Sequence, residues 1–337
     1  MHVIVTGSLG YDFIMDFSGR FADRIMPDNL HKISLSFLAD KLNKQFGGTA
    51  GNIAYSLNLL GTEPTIVSVA GNDFGPYKTF LETNKIDIAG ITVFDTEPTS
   101  CYFVVTDKDD NQIGTFYTGA QKYASKLSLT SILNTRAHSE KSFVIISPQD
   151  PTAMKKFVAE CREIHVPYLY DPAFQIGTFT KDELRQGIEG AELLIGNDYE
   201  IDLIIQTLEI SHEELLVMGP KAVITTLGAK GSIIETRHDA IHVKPARAKN
   251  VSDPTGAGDA YRGGFIAGYV RALASDPRGR GALTPGVVTT DQLLVCGQMG
   301  AVAAVYTVEK YGTVTHHYTQ EEFVKRYKEN YGNTVDL

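Results

Sequence analysis

Short apolar runs separated by helical patterns make up most of the chain. The runs are apolar on both faces, which is typical of strands buried inside a parallel sheet, and they lie at 3–6, 65–69, 143–147, 168–170, 193–195 and 222–226. Between them, apolar positions recur at helical spacing at 52–60, 152–164, 181–188 and 200–208. Strands that alternate with helices predict an α/β fold in which helices flank a central, mostly parallel sheet on both faces.

Two stretches, 11–46 and 91–120, break this rhythm with alternating apolar and polar positions. Residues 101–106, a polar turn and residues 112–117 predict a β-hairpin, and the alternation indicates strands with one covered and one wet face. We expect these stretches to form a small β-sheet, the lid, over a large domain built from residues 1–10, 47–90 and 121–337. Peripheral strands of the main sheet are the alternative interpretation.

Composition and charge narrow the function classes. The 337 residues include 31 Lys plus Arg against 40 Asp plus Glu, a formal charge of −9. An acidic chain with no basic run argues against nucleic-acid binding, and no apolar run reaches the roughly 18–20 residues needed to cross a membrane. Three scattered cysteines suggest neither a disulfide framework nor a zinc site. We therefore expect a cytoplasmic enzyme.

The most informative segment reads Asp253-Pro254-Thr255-Gly256-Ala257-Gly258-Asp259 and runs into an apolar helix. Small residues at 256–258 leave backbone N–H groups bare at a helix N-terminus, which makes an anion hole. The helix dipole is expected to lower the pKa of Asp259. A carboxylate beside an anion hole suits a base that takes a hydroxyl proton during phosphoryl transfer. An ordinary helix start with a capping Asp is the alternative.

This segment resembles the second signature of the ribokinase (PfkB) family of carbohydrate and nucleoside kinases. The first signature is matched by Gly47-Gly48-Thr49-Ala50-Gly51-Asn52-Ile53-Ala54. The resemblance implies a ribokinase-like fold, ATP as phosphate donor, Mg²⁺, and a small-molecule sugar or nucleoside as acceptor. It also implies catalytic roles for Asp259 and for the backbone at 256–258. A nicotinamide oxidoreductase is disfavoured, because Gly7-Ser8-Leu9-Gly10 lacks the third glycine of the dinucleotide fingerprint.

Residues near the amino terminus are candidates for the sugar side of the site. Gly48 allows close approach to the main chain, and the amide of Asn52 can both donate to and accept from hydroxyls. Asp12 is an acceptor-only carboxylate suited to two adjacent hydroxyls. The family resemblance assigns sugar binding to Asp12, Gly48 and Asn52, together with Ser8. A simple turn-forming residue is the alternative for Asp12.

Within the family, the chain is similar to bacterial adenosine kinases of the actinobacterial type. The similar segments are 5–8, 31–38, 116–120, 197–200 and 225–228. This implies that Tyr102 and Phe116 of the predicted hairpin sandwich an adenine ring and that Gln175 contacts its edge. Such kinases can carry a glutamine pair where this chain has Phe174-Gln175. Packing within the hairpin is the alternative for the two aromatic residues.

The nucleotide side of the site is expected at the carboxyl ends of later strands. Asn197 and Glu200 resemble the family motif that positions Mg²⁺, through water because Mg²⁺ dehydrates reluctantly. A helix N-cap with a first-turn Glu is the alternative. The loop with Thr226, Gly228 and Gly231 resembles the one that contacts the phosphates or ribose of the donor.

Residues on either side of the glycines also have predicted roles. Asp253 and Thr255 resemble part of the monovalent cation (K⁺) site of some relatives. Arg262 lies three residues after Asp259 on the same helix face, and we expect it to pair with a carboxylate; contact with phosphate is the alternative.

The sequence thus predicts an ATP-dependent kinase for the 5′-hydroxyl of a ribonucleoside, with adenosine converted to AMP as the preferred reaction. A kinase for ribose, fructose or another nucleoside is one alternative, and a non-catalytic nucleoside sensor is another. Because an exposed small sheet has edges and an apolar face to cover, we also predict a homodimer formed through the lid.

Overall fold

The computed structural model describes residues 1–26, 31–109, 111–135, 142–274 and 288–337. The strands are β1 His2–Thr6, β2 Gly10–Phe17, β3 Ala39–Gly47, β4 Pro64–Gly71, β5 Asp87–Phe94, β6 Ser100–Thr106, β7 Gln112–Tyr117, β8 Ser142–Ile146, β9 Tyr168–Tyr170, β10 Leu193–Asn197, β11 Ala222–Thr226, β12 Ser232–Glu235 and β13 Ala240–Val243.

The helices are α1 Thr49–Leu59, α2 Gly75–Thr83, α3 Leu129–Thr135, α4 Pro151–Glu163, α5 Lys181–Glu189, α6 Asp198–Leu208, α7 His212–Val217, α8 Ala257–Ala274, α9 Thr290–Val308 and α10 Gln320–Tyr331. Several begin at a side-chain cap that the sequence supplies. Thr180, Ser211, Thr289 and Thr319 each accept from the N3 backbone N–H while the N3 Glu or Gln bonds back to the cap. These caps satisfy donors that would otherwise be unpaired at the helix start.

The main sheet has nine strands in the order β13-β12-β11-β10-β9-β8-β1-β4-β5. It is parallel from β11 to β5, whereas β12 and β13 are antiparallel. Alternate residues of one strand enter different cores: Val3 and Val5 pack in one cluster, and Ile4 packs in the other. Both faces of the sheet are therefore covered, and the predicted ribokinase-like α/β fold is confirmed.

A separate lid sheet has the order β3-β2-β6-β7. The predicted hairpin is present, since β6 and β7 are antiparallel with Tyr102 opposite Phe116. One boundary was wrong: residues 91–94, assigned to the lid, belong to β5, which pairs with β4 in the main sheet. The lid strands of the second stretch begin at Ser100.

No helix in the described ranges combines the length and the apolar character that crossing a membrane requires.

Candidate active site

The carboxyl ends of the parallel strands bring several predicted residues to one edge of the main sheet. Ser8 follows β1, Asn197 ends β10, and Thr226 ends β11 in register with Asn197. Asp171 directly follows β9 and continues its pairing, because its N–H donates to the Ile146 carbonyl. Open α/β sheets bind ligands at this edge, so the fold places the predicted donor and acceptor sides together.

One in-register row of the lid sheet faces the space between the lid and the start of α8, which we call the cleft. Gln45, Asp12, Tyr102 and Phe116 are neighbours across β3, β2, β6 and β7, and such neighbours share a face. Tyr102 and Phe116 remain 36% and 48% exposed. Burial raises the pKa of Asp12 to about 6, and the nearby Asp259 carboxylate adds to the shift. The face that carries both aromatic rings therefore lies toward Asp259.

A glycine turn joins the lid to α1. Gly48 has φ of 89°, and a Cβ there would lie 2.5 Å from the carbonyl oxygen of Ser8. The Ser8 hydroxyl accepts from the Thr49 N–H at 3.2 Å, and the Ser8 carbonyl accepts from the Ala50 N–H at 3.0 Å. Ser8 thus fixes the start of α1, and its contact with a substrate stays a prediction.

Asn52 and Asp259 meet at the bottom of the cleft. Asn52 Nδ2 donates to Asp259 Oδ2 at 2.8 Å, which orients the carboxylate. Within the described part of the chain, Asn52 Oδ1 and Gln45 Oε1 are buried and accept no hydrogen bond. Buried acceptors without a partner are costly unless a ligand or water satisfies them. Sugar hydroxyls are donors of the required kind.

The environment of Asp259 differs from the expectation. Burial raises the pKa of Asp259, while the Arg262 charge and the Asn52 hydrogen bond act in the opposite direction. The predicted lowering was therefore wrong in sign, because loss of water outweighs the local stabilisation of the carboxylate. A raised pKa makes the carboxylate a stronger proton acceptor at neutral pH.

The start of α8 presents bare backbone donors. No acceptor within the described residues bonds the N–H groups of Gly256, Gly258 or Asp259, whereas Ala257 donates to the Pro254 carbonyl at 3.1 Å. Ala257 was predicted as a donor to phosphate, but its N–H is already engaged in this turn. We call residues 256–259 the anion-binding turn after their predicted role. The turn keeps two of the predicted donors and adds the N–H of Asp259 itself.

Arg262 pairs with Asp171, as its expected role as a carboxylate partner requires. Arg262 Nη2 and Nε lie 2.9 Å and 2.5 Å from the two oxygens of Asp171, whose side chain is 1% exposed. Burial raises the pKa of Asp171 to about 6 although Arg262 acts to lower it.

Asn197 and Glu200 form a capping box at the start of α6. Asn197 Oδ1 accepts from the Glu200 N–H, and Glu200 Oε2 accepts from the Asn197 N–H, both at 2.8 Å. The alternative N-cap interpretation is therefore realised. Across the described residues, no group of three or more His, Cys, Asp or Glu side chains is arranged to hold a metal ion. These oxygens fit a Mg²⁺ held largely by phosphates and water, so that role stays a prediction.

The predicted donor loop follows β11. Thr226 donates to the Gly196 carbonyl at 3.4 Å. Gly228 and Gly231 have φ of 57° and 93°, and a Cβ on Gly231 would lie 2.1 Å from the Val243 carbonyl oxygen. Glycine is required for this turn into β12, while the contact of the loop with a nucleotide stays a prediction.

Asp253 organises the segment before α8. Its two carboxylate oxygens accept from the N–H groups of Thr255 at 2.9 Å and Gly312 at 3.0 Å. The carboxylate thus holds a turn together, and a cation site at Asp253 and Thr255 stays a prediction.

Of three glutamines in this region, at positions 121, 149 and 175, only Gln175 was predicted from the sequence. The Gln175 amide donates to the Gln149 carbonyl at 2.8 Å, so its predicted contact with a base edge stays a prediction. Gln121 and Gln149 are buried, and within the described chain their side-chain oxygens accept no hydrogen bond. Neither residue belongs to a recognisable motif; only their position a few residues after β7 and β8 could have indicated them.

Together, a turn with bare N–H donors, a carboxylate beside it and the carboxyl edge of a parallel sheet are the features expected of an alcohol phosphotransferase. A model of the pfkB family of carbohydrate kinases matches residues 6–319, and the chain belongs to this family. A nucleoside kinase of Methanothermobacter thermautotrophicus is 30% identical over 334 residues, covering 98% of this chain and 96% of that protein.

Solved structures agree with this assignment. Burkholderia thailandensis nucleoside kinase in complex with inosine is 28% identical, with a TM-score of 0.83 over 98% of this chain and 99% of that chain. The same enzyme in complex with ADP-inosine is 29% identical, with a TM-score of 0.80 over 99% and 97% of the two chains.

Proposed function

We propose that the protein transfers the γ-phosphoryl group of ATP to the 5′-hydroxyl of a ribonucleoside, with adenosine as the preferred acceptor. The observation that carries the proposal is the Asn52–Asp259 contact beside the bare N–H groups of the anion-binding turn. The nucleoside kinases among the relatives, one of them in complex with ADP-inosine, support this donor and acceptor class.

The chemistry follows from the positions of these groups. Asp259 accepts the proton of the 5′-hydroxyl as its oxygen attacks the γ-phosphorus, and ADP leaves with the bridging oxygen. The N–H groups of Gly256, Gly258 and Asp259 face the developing negative charge, where preorganised donors are most effective. A Mg²⁺ ion held by Asn197 and Glu200 through water would neutralise the nucleotide phosphates.

The lid supplies the reason to favour a nucleoside over a bare sugar. Tyr102 and Phe116 are adjacent, partly exposed rings on the lid face that carries Asp12. An aromatic ring stacked on a base is worth about 1–3 kcal/mol, and a pentose offers no comparable face. Asp12, Asn52 and the turn at Gly48 would hold the ribose while the rings hold the base.

A substrate panel tests the proposal. Release of ADP is measured with adenosine, inosine, guanosine, cytidine, ribose and fructose as acceptors. We expect turnover with ribonucleosides, highest with adenosine, and little with free sugars. Efficient phosphorylation of ribose or fructose but of no nucleoside would refute it. Tight nucleoside binding without ADP release would instead favour the sensor.

We also propose that two copies associate through the lid. On the face opposite Asp12, Leu42, Met15, Val105 and Ile113 form one in-register apolar row. Leu42 and Ile113 are 63% and 43% exposed. An apolar sheet face of this kind is stabilised by a matching partner, and a second copy provides one.

A further inference from the structure

Arg262 is held in one orientation by a buried carboxylate. Arg262 Nη2 donates to Asp171 Oδ1 at 2.9 Å, and Nε lies 2.5 Å from Oδ2 in an ion-pair contact that lacks hydrogen-bond geometry. A charge-assisted hydrogen bond to a carboxylate is among the strongest constraints on a guanidinium. Because Asp171 follows β9 directly and its own N–H bonds the Ile146 carbonyl, this anchor is part of the main sheet. The orientation of the guanidinium is therefore set by the fold.

This arrangement leaves Nη1 directed at the anion-binding turn. A Cβ built on Gly258 would lie 2.7 Å from Arg262 Nη1, so Nη1 lies directly beside Gly258. No acceptor among the described residues bonds Nη1, and a tenth of the Arg262 side-chain surface is exposed. Two N–H donors of the guanidinium therefore remain available next to the bare N–H of Gly258.

The charges around Arg262 also favour contact with a phosphoryl group. Burial acts to lower the pKa of Arg262, but the carboxylates of Asp171, Asp259 and Glu200 together raise it, so the guanidinium stays protonated. The carboxylates of Asp259 and Asp253 in turn add to the rise that burial causes in the pKa of Asp12, so several acidic side chains lie close together here. An incoming phosphoryl group enters a strongly acidic region, where a directed positive charge opposes the repulsion.

We propose that Arg262 is a catalytic residue whose Nη1 donates to an equatorial oxygen of the transferring phosphoryl group, and that Asp171 is its positioning residue. The proposal rests on the proposed kinase function and deepens it. As the bond between the 5′-oxygen and phosphorus forms, the bond from phosphorus to the bridging oxygen of ADP breaks and Asp259 receives the hydroxyl proton. Nη1 and the N–H of Gly258 then share the charge on the equatorial oxygens.

Arg262→Lys is the first test. Lysine keeps the positive charge beside Asp171, but one ammonium cannot both bond Asp171 and reach the turn at Gly258. We expect kcat to fall about 10²–10³-fold, the range for loss of one donor to a transition-state oxyanion. The KM for the nucleoside and the Kd for ADP, which lacks the transferred group, should change less than about threefold. Arg185→Lys, on the surface of α5, is the matched control.

A second test replaces a γ-phosphoryl oxygen of ATP by sulfur and measures the change in turnover. The ratio of turnover with ATP to turnover with ATPγS reports contacts to the γ-phosphoryl oxygens, so Arg262→Lys should change this ratio while Arg185→Lys should not. If Arg262→Lys does not fold, the double variant Asp171→Asn with Arg262→Met removes both buried charges and is measured instead, with the same expected loss.

A kcat within threefold of wild type, or an unchanged ATP to ATPγS ratio, in the folded variant would overturn the role of Arg262. Absence of turnover by the wild-type protein with every nucleoside would overturn the kinase function itself. The two failures are thus distinguished by the wild-type measurement.

Discussion

Replacing Asp259 by Asn removes the proposed base with little change in packing. Asn52 Nδ2 donates to Asp259 Oδ2 at 2.8 Å, and an Asn at 259 can accept the same bond through its carbonyl oxygen. The remaining position of the side chain is then an NH₂ group, which donates rather than accepts. The acceptor hydroxyl would keep its neighbours but would lose the group that takes its proton.

The size of the effect follows from the chemistry of the site. A positioned general base contributes about 10²–10⁴-fold to the rate, or about 2.7–5.4 kcal/mol at 1.36 kcal/mol per tenfold. Because burial raises the pKa of Asp259, the base is stronger than a free carboxylate, and we expect a loss toward the upper end. An assay of ADP release gives kcat, and titration calorimetry gives the Kd of the nucleoside.

Asp202→Asn, a neutralisation on the exposed face of α6, is the matched control and should leave kcat unchanged. Asp259→Asn should bind the nucleoside within about threefold of wild type, because the Asn52 contact is kept. Turnover of Asp259→Asn within tenfold of wild type would show that another group takes the proton.

Three further predictions concern the turn, the lid and one buried imidazole. Gly48→Ala should cost roughly 1–3 kcal/mol of unfolding free energy and raise the nucleoside KM, since its Cβ meets the Ser8 carbonyl; urea titration and kinetics check this. Ile113→Asp should give monomers in sedimentation equilibrium and leave kcat unchanged. Burial lowers the pKa of His316 to about 4, below the usual 6.5, so the unfolded chain binds more protons and stability falls between pH 6.5 and 4, by up to about 3 kcal/mol; urea titrations at several pH values measure it.

Each of these has a result that would contradict it. An unchanged urea midpoint for Gly48→Ala would mean that the turn is not constrained as described. A wild-type protein that is already monomeric would remove the lid interface. Asp12 and Asp171, whose pKa values burial raises to about 6, oppose the His316 effect, so the comparison is with His316→Gln; equal pH dependence of the two proteins would exclude the imidazole as a cause.

The strands were predictable because a strand buried on both faces is apolar at every position. Val3 and Val5 on one side of the main sheet and Ile4 on the other illustrate this. Residues 91–94 were misassigned because this condition does not hold for their strand. Strand β5 lies at the sheet edge and is only partly buried, so its sequence alternates like that of a lid strand.

The candidate site could be predicted only where its function depends on residues that are close together in the sequence. The glycines at 256 and 258 indicate bare donors because a glycine has no side chain of its own beside its N–H. The partners of Asp259 and Arg262 lie far along the chain: Asn52 is 207 residues from Asp259, and Asp171 is 91 residues from Arg262. Burial also depends on these distant neighbours, which is why the direction of the Asp259 pKa shift could not be inferred from the helix dipole alone.

Identification of the reaction product tests the central claim most directly. Wild-type protein is incubated with ATP and adenosine, and the phosphorylated product is located by ³¹P NMR and mass spectrometry, with 5′-deoxyadenosine in a parallel reaction. We expect AMP with its phosphate on the 5′-oxygen, and no transfer to 5′-deoxyadenosine. Phosphate on another oxygen, equal ADP release with 5′-deoxyadenosine, or no nucleotide product would contradict it.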